Sequence, residues 1–385
     1  MTIPIARPFF DTAEERATVA ALRSGWVSHG PMCMEFERDM ARIVGVGIGR
    51  AVNSGTSAIH LALMASGVGA GDEVIVPAFT CVASLFPIEH LGAIPVPVDV
   101  ELTSYGLNPS NLDAAITPRT KAIIVVHLFG LAANLLPILD IAKRYGIAVI
   151  EDTALGLGAR IGDQLAGSFG LASCLSFHPR KIITTGEGGM VLTSDERIAA
   201  RVAELRAYGA TISAWDRHKG TLHELPSYSG PGFNLKMTDI QAGVGIEQLR
   251  KLPEIINARQ TIARRYQKAF QNLQWLSLPE VPEGRTHVYQ SYVCLVGKPP
   301  VGIADTSGSM RQRLMDHLQT QGLASVQAAQ SMPMIAYFSM RYGWPNADFA
   351  NAAYADQCAI ALPIFPGMTL ADQAAVIESM CSFKP

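Results

Sequence analysis

The sequence predicts an α/β fold, a mostly parallel central sheet flanked by helices and followed by a smaller C-terminal α+β domain. Three observations predict it. From residue 50 onward, short apolar runs alternate with helix-like stretches. The runs are continuously apolar rather than alternating, as in strands covered on both faces. Near residue 250 this alternation gives way to a long helical pattern, so the expected division is 1–250 and 251–385, with the N-terminal segment able to pack on the smaller part.

The elements follow in order. Val52 ends a strand-like run, and Ser57–Ser66 reads as a helix. Val74–Pro77 and Pro95–Val98 are short strands rich in β-branched residues. Residues 122–142 tempt a membrane reading, because only His127, Asn134 and Asp140 are clearly polar. Gly130 and Pro137 interrupt that stretch, so it is read as a strand to His127, a turn, and a helix over Leu136–Arg144 ending at Gly146. Ala148–Glu151, Cys174–Phe177 and Met190–Thr193 complete the strands. A helical pattern over Ile240–Ala263 is broken by Pro253, after which come strand-like Tyr289–Val296 and helix-like Met310–Gln321.

Composition narrows the function. Basic and acidic residues number 31 and 33, which gives no basic stripe for nucleic acid or an anionic membrane. Charged residues are 17%, against about 25% in an average soluble domain, so surface hidden in an oligomer is expected. Six scattered cysteines and no apolar leader at the N-terminus point to a reduced, cytoplasmic location. No metal site is expected: His218 and His223 lack ligand spacing. The glycine-rich runs do not match GxGxxG, which removes a nicotinamide enzyme.

Three segments carry candidate chemistry. Asn53-Ser54-Gly55-Thr56-Ser57 ends a strand and opens a helix, whose free amides attract a phosphate. The same turn also reads as an ordinary N-cap. Glu151-Asp152 ends an apolar strand, where open α/β sheets place ligands. A buried carboxylate there needs a cation, either a protonated ring nitrogen or an arginine. Ser176 precedes Lys181 by five residues, and a glycine-rich turn follows, so the lysine is placed to form a Schiff base with a carbonyl cofactor. A solvated lysine is the plain alternative.

Taken together and in this order, the segments resemble the DegT/DnrJ/StrS family of pyridoxal-phosphate sugar aminotransferases, of aspartate aminotransferase fold type I. The resemblance runs through NSGTSAIHLAL, GDEVIVPAFTCVAS, SFHPRKIITTGEGGMVLTSD, GFNLKMTDIQAGVGIEQLRKL and ALPIFPGMT. It implies that Lys181 is the Schiff-base lysine and proton shuttle, and that Asp152 keeps the pyridine nitrogen protonated. Gly55, Thr56, Ser57 and Ser176 become the phosphate site. Asn234 becomes a phosphate contact to the neighbouring subunit, which implies a homodimer. The implied reaction moves an amino group from glutamate or glutamine to a keto-sugar, nucleotide-linked, in a ping-pong cycle. The family's dehydratases replace the lysine with histidine, so Lys181 excludes them.

Five departures mark this chain. Cys81 stands where relatives stack an aromatic residue on the cofactor ring, and Leu155 and Leu157 stand where they carry Gln and His. Lys236 replaces an arginine, and Gln330 stands near a frequent histidine. An altered pocket is expected at Cys81, Leu155 and Gln330. This leaves open a non-sugar or cyclitol ketone as acceptor, or a regulatory protein that only holds the cofactor.

Overall fold

The computed structural model describes residues 2–219, 225–297 and 306–385, with the backbone alone for 306–309. His223 therefore lies outside the described residues. The central sheet has seven strands: β1 (Ile48–Val52), β2 (Glu73–Pro77), β3 (Ile94–Val98), β4 (Thr120–Val126), β5 (Ala148–Asp152), β6 (Ala172–Ser176) and β7 (Gly189–Thr193). Their order is β1-β7-β6-β5-β4-β2-β3. Only β7 is antiparallel to its neighbours. A parallel neighbour needs a crossover, usually a helix, whereas β6 and β7 are joined by the glycine-rich turn alone. That turn carries Lys181, so the one reversal in the sheet holds the lysine at its edge.

Helices cover the sheet. α1 (Thr12–Arg23) and α2 (Pro31–Val44) precede β1, and α3 (Gly55–Ala65) follows it. α3 is apolar on nearly every face; Ala58, Ile59, Leu61, Ala62 and Leu63 are buried, and the helix crosses β6 and β7. α4 (Leu135–Tyr145) ends at Gly146 in a left-handed cap (φ 67°). The suspected membrane stretch thus resolves into β4, a single tight turn over Leu128–Gly130, and α4. Among the described residues no helix is long and apolar enough to cross a membrane. α5 (Glu196–Leu205) follows β7.

The long helical pattern is two helices, α6 (Asp239–Arg250) and α7 (Leu252–Phe270). Pro253 lies in the first turn of α7, where its missing N–H removes no intrahelical bond. A second sheet follows, antiparallel throughout: β8 (Leu276–Ser277), β9 (Tyr292–Val296), β10 (Val326–Gln327) and β11 (Ala359–Leu362), in the order β8-β9-β11-β10. β9 starts three residues later than expected, because Tyr289 has φ 49°, which an extended strand excludes. The N-terminal segment packs on this part: the Ile3 amide donates to the Gly322 carbonyl at 2.9 Å.

Candidate active site

The turn between β1 and α3 forms a cradle. Ser54 caps the helix, its Oγ accepting the Ser57 amide at 3.1 Å. The Ser57 hydroxyl donates to Asn53 Oδ1 at 2.7 Å. The Gly55 and Thr56 amides have no carbonyl one turn back to bond, as at any helix start. Gly55 is required by a close approach: a Cβ there would lie 2.7 Å from Ser176 Cβ and 3.2 Å from its Oγ. Ser176, at the end of β6, therefore leans directly over the helix N-terminus. Neither its hydroxyl nor that of Thr56 bonds another described residue.

The acidic pair ending β5 divides, since successive strand residues face opposite sides. Glu151 is fully buried and accepts from His127 Nε2 at 2.9 Å and from the amides of Gly167, Phe169 and Gly170. His127 Nδ1 accepts the Ala133 amide, which leaves the proton on Nε2. Burial opposes ionisation of Glu151, but His127 and the loop amides hold its carboxyl below the usual range. Glu151 thus ties a loop to the sheet. Asp152 faces the other way, 5% exposed, accepting Ser84 Oγ at 2.7 Å and the Ala154 amide at 3.1 Å. No Arg, Lys or His lies within ion-pair distance of it among the described residues. The arginine that was one candidate partner is absent, and a protonated ring nitrogen fits. Ser84 was not singled out from the sequence: it lies 68 positions from Asp152 in an unremarkable apolar segment.

Lys181 is half-buried in the β6–β7 turn. That turn is closed by the Thr184 hydroxyl on the Phe177 carbonyl at 2.8 Å and by the Phe177 amide on the Gly188 carbonyl at 2.8 Å. Burial pulls the Lys181 ammonium below the ordinary lysine range, with Asp152 and Cys81 opposing. Its Nζ donates to no described residue. A larger neutral fraction makes it a better nucleophile.

Cys81, Leu155 and Gln330 come together from three distant segments. They line one cavity of about 340 Å³ with Thr80, Leu128 and Phe129. Gln330 is placed there by pairing with Thr80 in a two-stranded ladder. Leu157 does not line this cavity and is buried in the core with Ala132, Ala159 and Val288. The side chain two residues after Leu155 turns inward instead of toward the site. Asn234 is exposed on a segment beside β1, where its Oδ1 accepts Lys236 Nζ at 2.6 Å. It bonds none of Thr56, Ser57 or Ser176 in its own chain.

A family-wide sequence pattern, that of the DegT/DnrJ/EryC1/StrS aminotransferase family, matches residues 9–381. The chain belongs to this family. It is 34% identical over 378 residues to the spore coat polysaccharide biosynthesis protein SpsC of Bacillus subtilis (strain 168), covering 98% of this chain and 96% of that protein. Among solved structures, the pyridoxal-phosphate form of the putative sugar aminotransferase Spr1654 from Streptococcus pneumoniae superposes with a TM-score of 0.89 at 26% identity, over the whole of both chains. DesV of S. venezuelae superposes with a TM-score of 0.88 at 27% identity, over 98% of this chain and 97% of that one. The enzyme is therefore an aminotransferase, and its cofactor is pyridoxal 5′-phosphate. The residues present fit that group: a helix N-terminus open to an anion at Gly55–Ser57, a buried carboxylate with no cation at ion-pair distance at Asp152, and a lysine of depressed basicity within electrostatic reach of that carboxylate.

Proposed function

We propose that the enzyme moves an amino group from glutamate or glutamine to a keto-sugar, nucleotide-linked, in a ping-pong cycle. The observation that carries this reading is the grouping of Lys181 and Asp152 beside the Gly55–Ser176 cradle, with Asp152 buried and unpaired by any protein cation. When bound, the cofactor supplies an electron sink for the bond broken at the donor Cα.

The chain's own residues do the rest. Lys181 Nζ would hold the cofactor through its aldehyde carbon, with loss of water, and once displaced by the amino donor it would be the base that takes the donor Cα proton. Asp152 holds a proton on the ring nitrogen, oriented by Ser84. The Gly55 and Thr56 amides with the Thr56, Ser57 and Ser176 hydroxyls anchor the phosphate. Cys81 and Leu155, which share one cavity wall, would lie beside the ring and the acceptor. Asn234, exposed in one subunit, reaches the phosphate of its partner in a homodimer. SpsC is named for spore coat polysaccharide biosynthesis and Spr1654 as a putative sugar aminotransferase, which supports a sugar acceptor.

The test is the absorbance of the protein with pyridoxal phosphate before and after glutamate. Conversion of the bound band to the pyridoxamine form is expected, and Lys181→Ala should abolish both the band and turnover. A turning-over Lys181→Ala protein would refute the assignment.

A further inference from the structure

We propose that Gln290 is a positioning residue for Lys181: its side-chain amide holds the Arg180–Lys181 peptide from the opposite side of the turn. The inference rests on the reading of Lys181 above. Gln290 is 7% exposed, and its Nε2 donates to the Arg180 carbonyl at 2.6 Å. The other end of the amide is also held, with Oε1 accepting Ser291 Oγ at 2.9 Å. The Lys181 amide donates to the His178 carbonyl at 2.9 Å. The peptide unit that places Lys181 is thus gripped at its N–H and at its C=O. Because Nζ has no bond to a described residue, the direction of the lysine side chain depends on that backbone.

Gln290 is itself fixed. Its carbonyl accepts Arg259 Nη1 at 3.0 Å, and the same nitrogen reaches the Tyr289 carbonyl at 3.2 Å and the Ile364 carbonyl at 2.9 Å. Arg259 is 2% exposed and has no carboxylate within ion-pair distance among the described residues. Burial alone lowers its pKa to about 10. A buried cation met only by carbonyls, its Nε without a partner among the described residues, is a costly way to fill a core. What it fixes is the strained segment before β9, where Tyr289 sits at φ 49° and stacks on His287 at 4.0 Å. The Ser291 amide adds a bond to the Phe129 carbonyl at 3.1 Å, on the wall of the site cavity. Strained non-glycine residues persist where their surroundings over-determine them, and they concentrate at functional sites. Here the surroundings converge on one amide that points at the lysine turn.

A purely structural role for Gln290 predicts equal damage whether or not Lys181 is present, so a double-mutant comparison separates the two. Gln290→Met keeps length and apolar volume and removes the donor. In the otherwise native enzyme it should slow borohydride-trappable attachment of pyridoxal phosphate by roughly tenfold or more, the scale of a small misplacement of a reacting group. In the Lys181→Ala background the same change should leave non-covalent pyridoxal-phosphate affinity unaltered. Equal losses in both backgrounds, or no slowing in the first, would overturn the proposal. Undiminished trapping in Lys181→Ala alone would instead overturn the lysine assignment and, with it, the role of Gln290. If Gln290→Met folds poorly, Ser291→Ala frees the Gln290 amide with less disturbance. It should slow attachment by about threefold, near the worth of one net hydrogen bond. An unaltered rate there would overturn the proposal equally.

Discussion

Substituting Gly55 by alanine tests the cradle directly. The new Cβ would stand 2.7 Å from Ser176 Cβ and 3.3 Å from Ser176 Cα, both part of β6 rather than the end of a flexible side chain. An ordinary carbon contact needs at least about 3.4 Å, so roughly 0.7 Å must be found between α3 and the sheet. Forcing one methyl into a packed junction costs about 1–3 kcal/mol. Ser176 moves away from the helix N-terminus by the same amount, which lengthens any bond its hydroxyl makes to a phosphate. Expressed as cofactor affinity, that range is about 5- to 150-fold weaker, measured by equilibrium dialysis of pyridoxal phosphate against the apoenzyme. Gly69→Ala is the control, since nothing lies within 4 Å of its added Cβ and its φ is not in the left-handed range. It should leave affinity unchanged. Native affinity in Gly55→Ala would mean that the phosphate does not sit between α3 and Ser176.

Asp152→Asn preserves shape and the Ser84 contact while removing the charge. The half-reaction with glutamate should slow by roughly 10²-fold or more with cofactor still bound, and an undiminished stopped-flow rate would remove Asp152 from its role. Cys81→Tyr adds an aromatic face to an exposed position on the cavity wall. Pyridoxal phosphate should bind about 2- to 10-fold more tightly, and no gain on titration would place Cys81 away from the ring. Glu37 sets an acid limit. Burial opposes its ionisation, but Arg206 at 2.5 Å and His29 at 3.3 Å hold its pKa at about 2. The folded pKa lies below the unfolded 4.5, so the stabilisation, roughly 3 kcal/mol at most, is present above pH 4.5 and fades toward pH 2. Glu37→Gln leaves Arg206 buried without its partner, so it should cost about 3–5 kcal/mol near neutral pH and flatten that acid limb in denaturant titrations.

Much of the architecture was legible because its signals are local. Continuous apolar runs marked β2 to β7 within a few residues, and Gly146 marked the end of α4. The Asn53–Ser57 turn and the Lys181 turn were legible because each is contiguous in the chain, whereas the approach of Ser176 to Gly55 was not. The late start of β9 was not legible: the apolar pattern continues through Tyr289, which the His287 ring and Arg259, thirty residues earlier, hold out of the strand conformation. The reversal of β7 was likewise invisible to periodicity, which reports burial and not direction.

Sequence by itself determined the order of the elements, the contiguous Asn53–Ser57 and Lys181 turns and, through its resemblance, the family. Local propensity, capping and short-range spacing suffice for the elements and turns, and the family rested on whole motifs. The resemblance had already singled out Asp152 of the Glu151-Asp152 pair, and tertiary structure supplied the reason, since pleating separates the two and gives one to His127 and the other to Ser84. It also decided that Cys81, Leu155 and Gln330 share a wall while Leu157 does not, and that Gln290 reaches the lysine turn. These are contacts between residues tens to hundreds of positions apart. Their side chains meet only after strand order and sheet register are set, and no period in the chain encodes them.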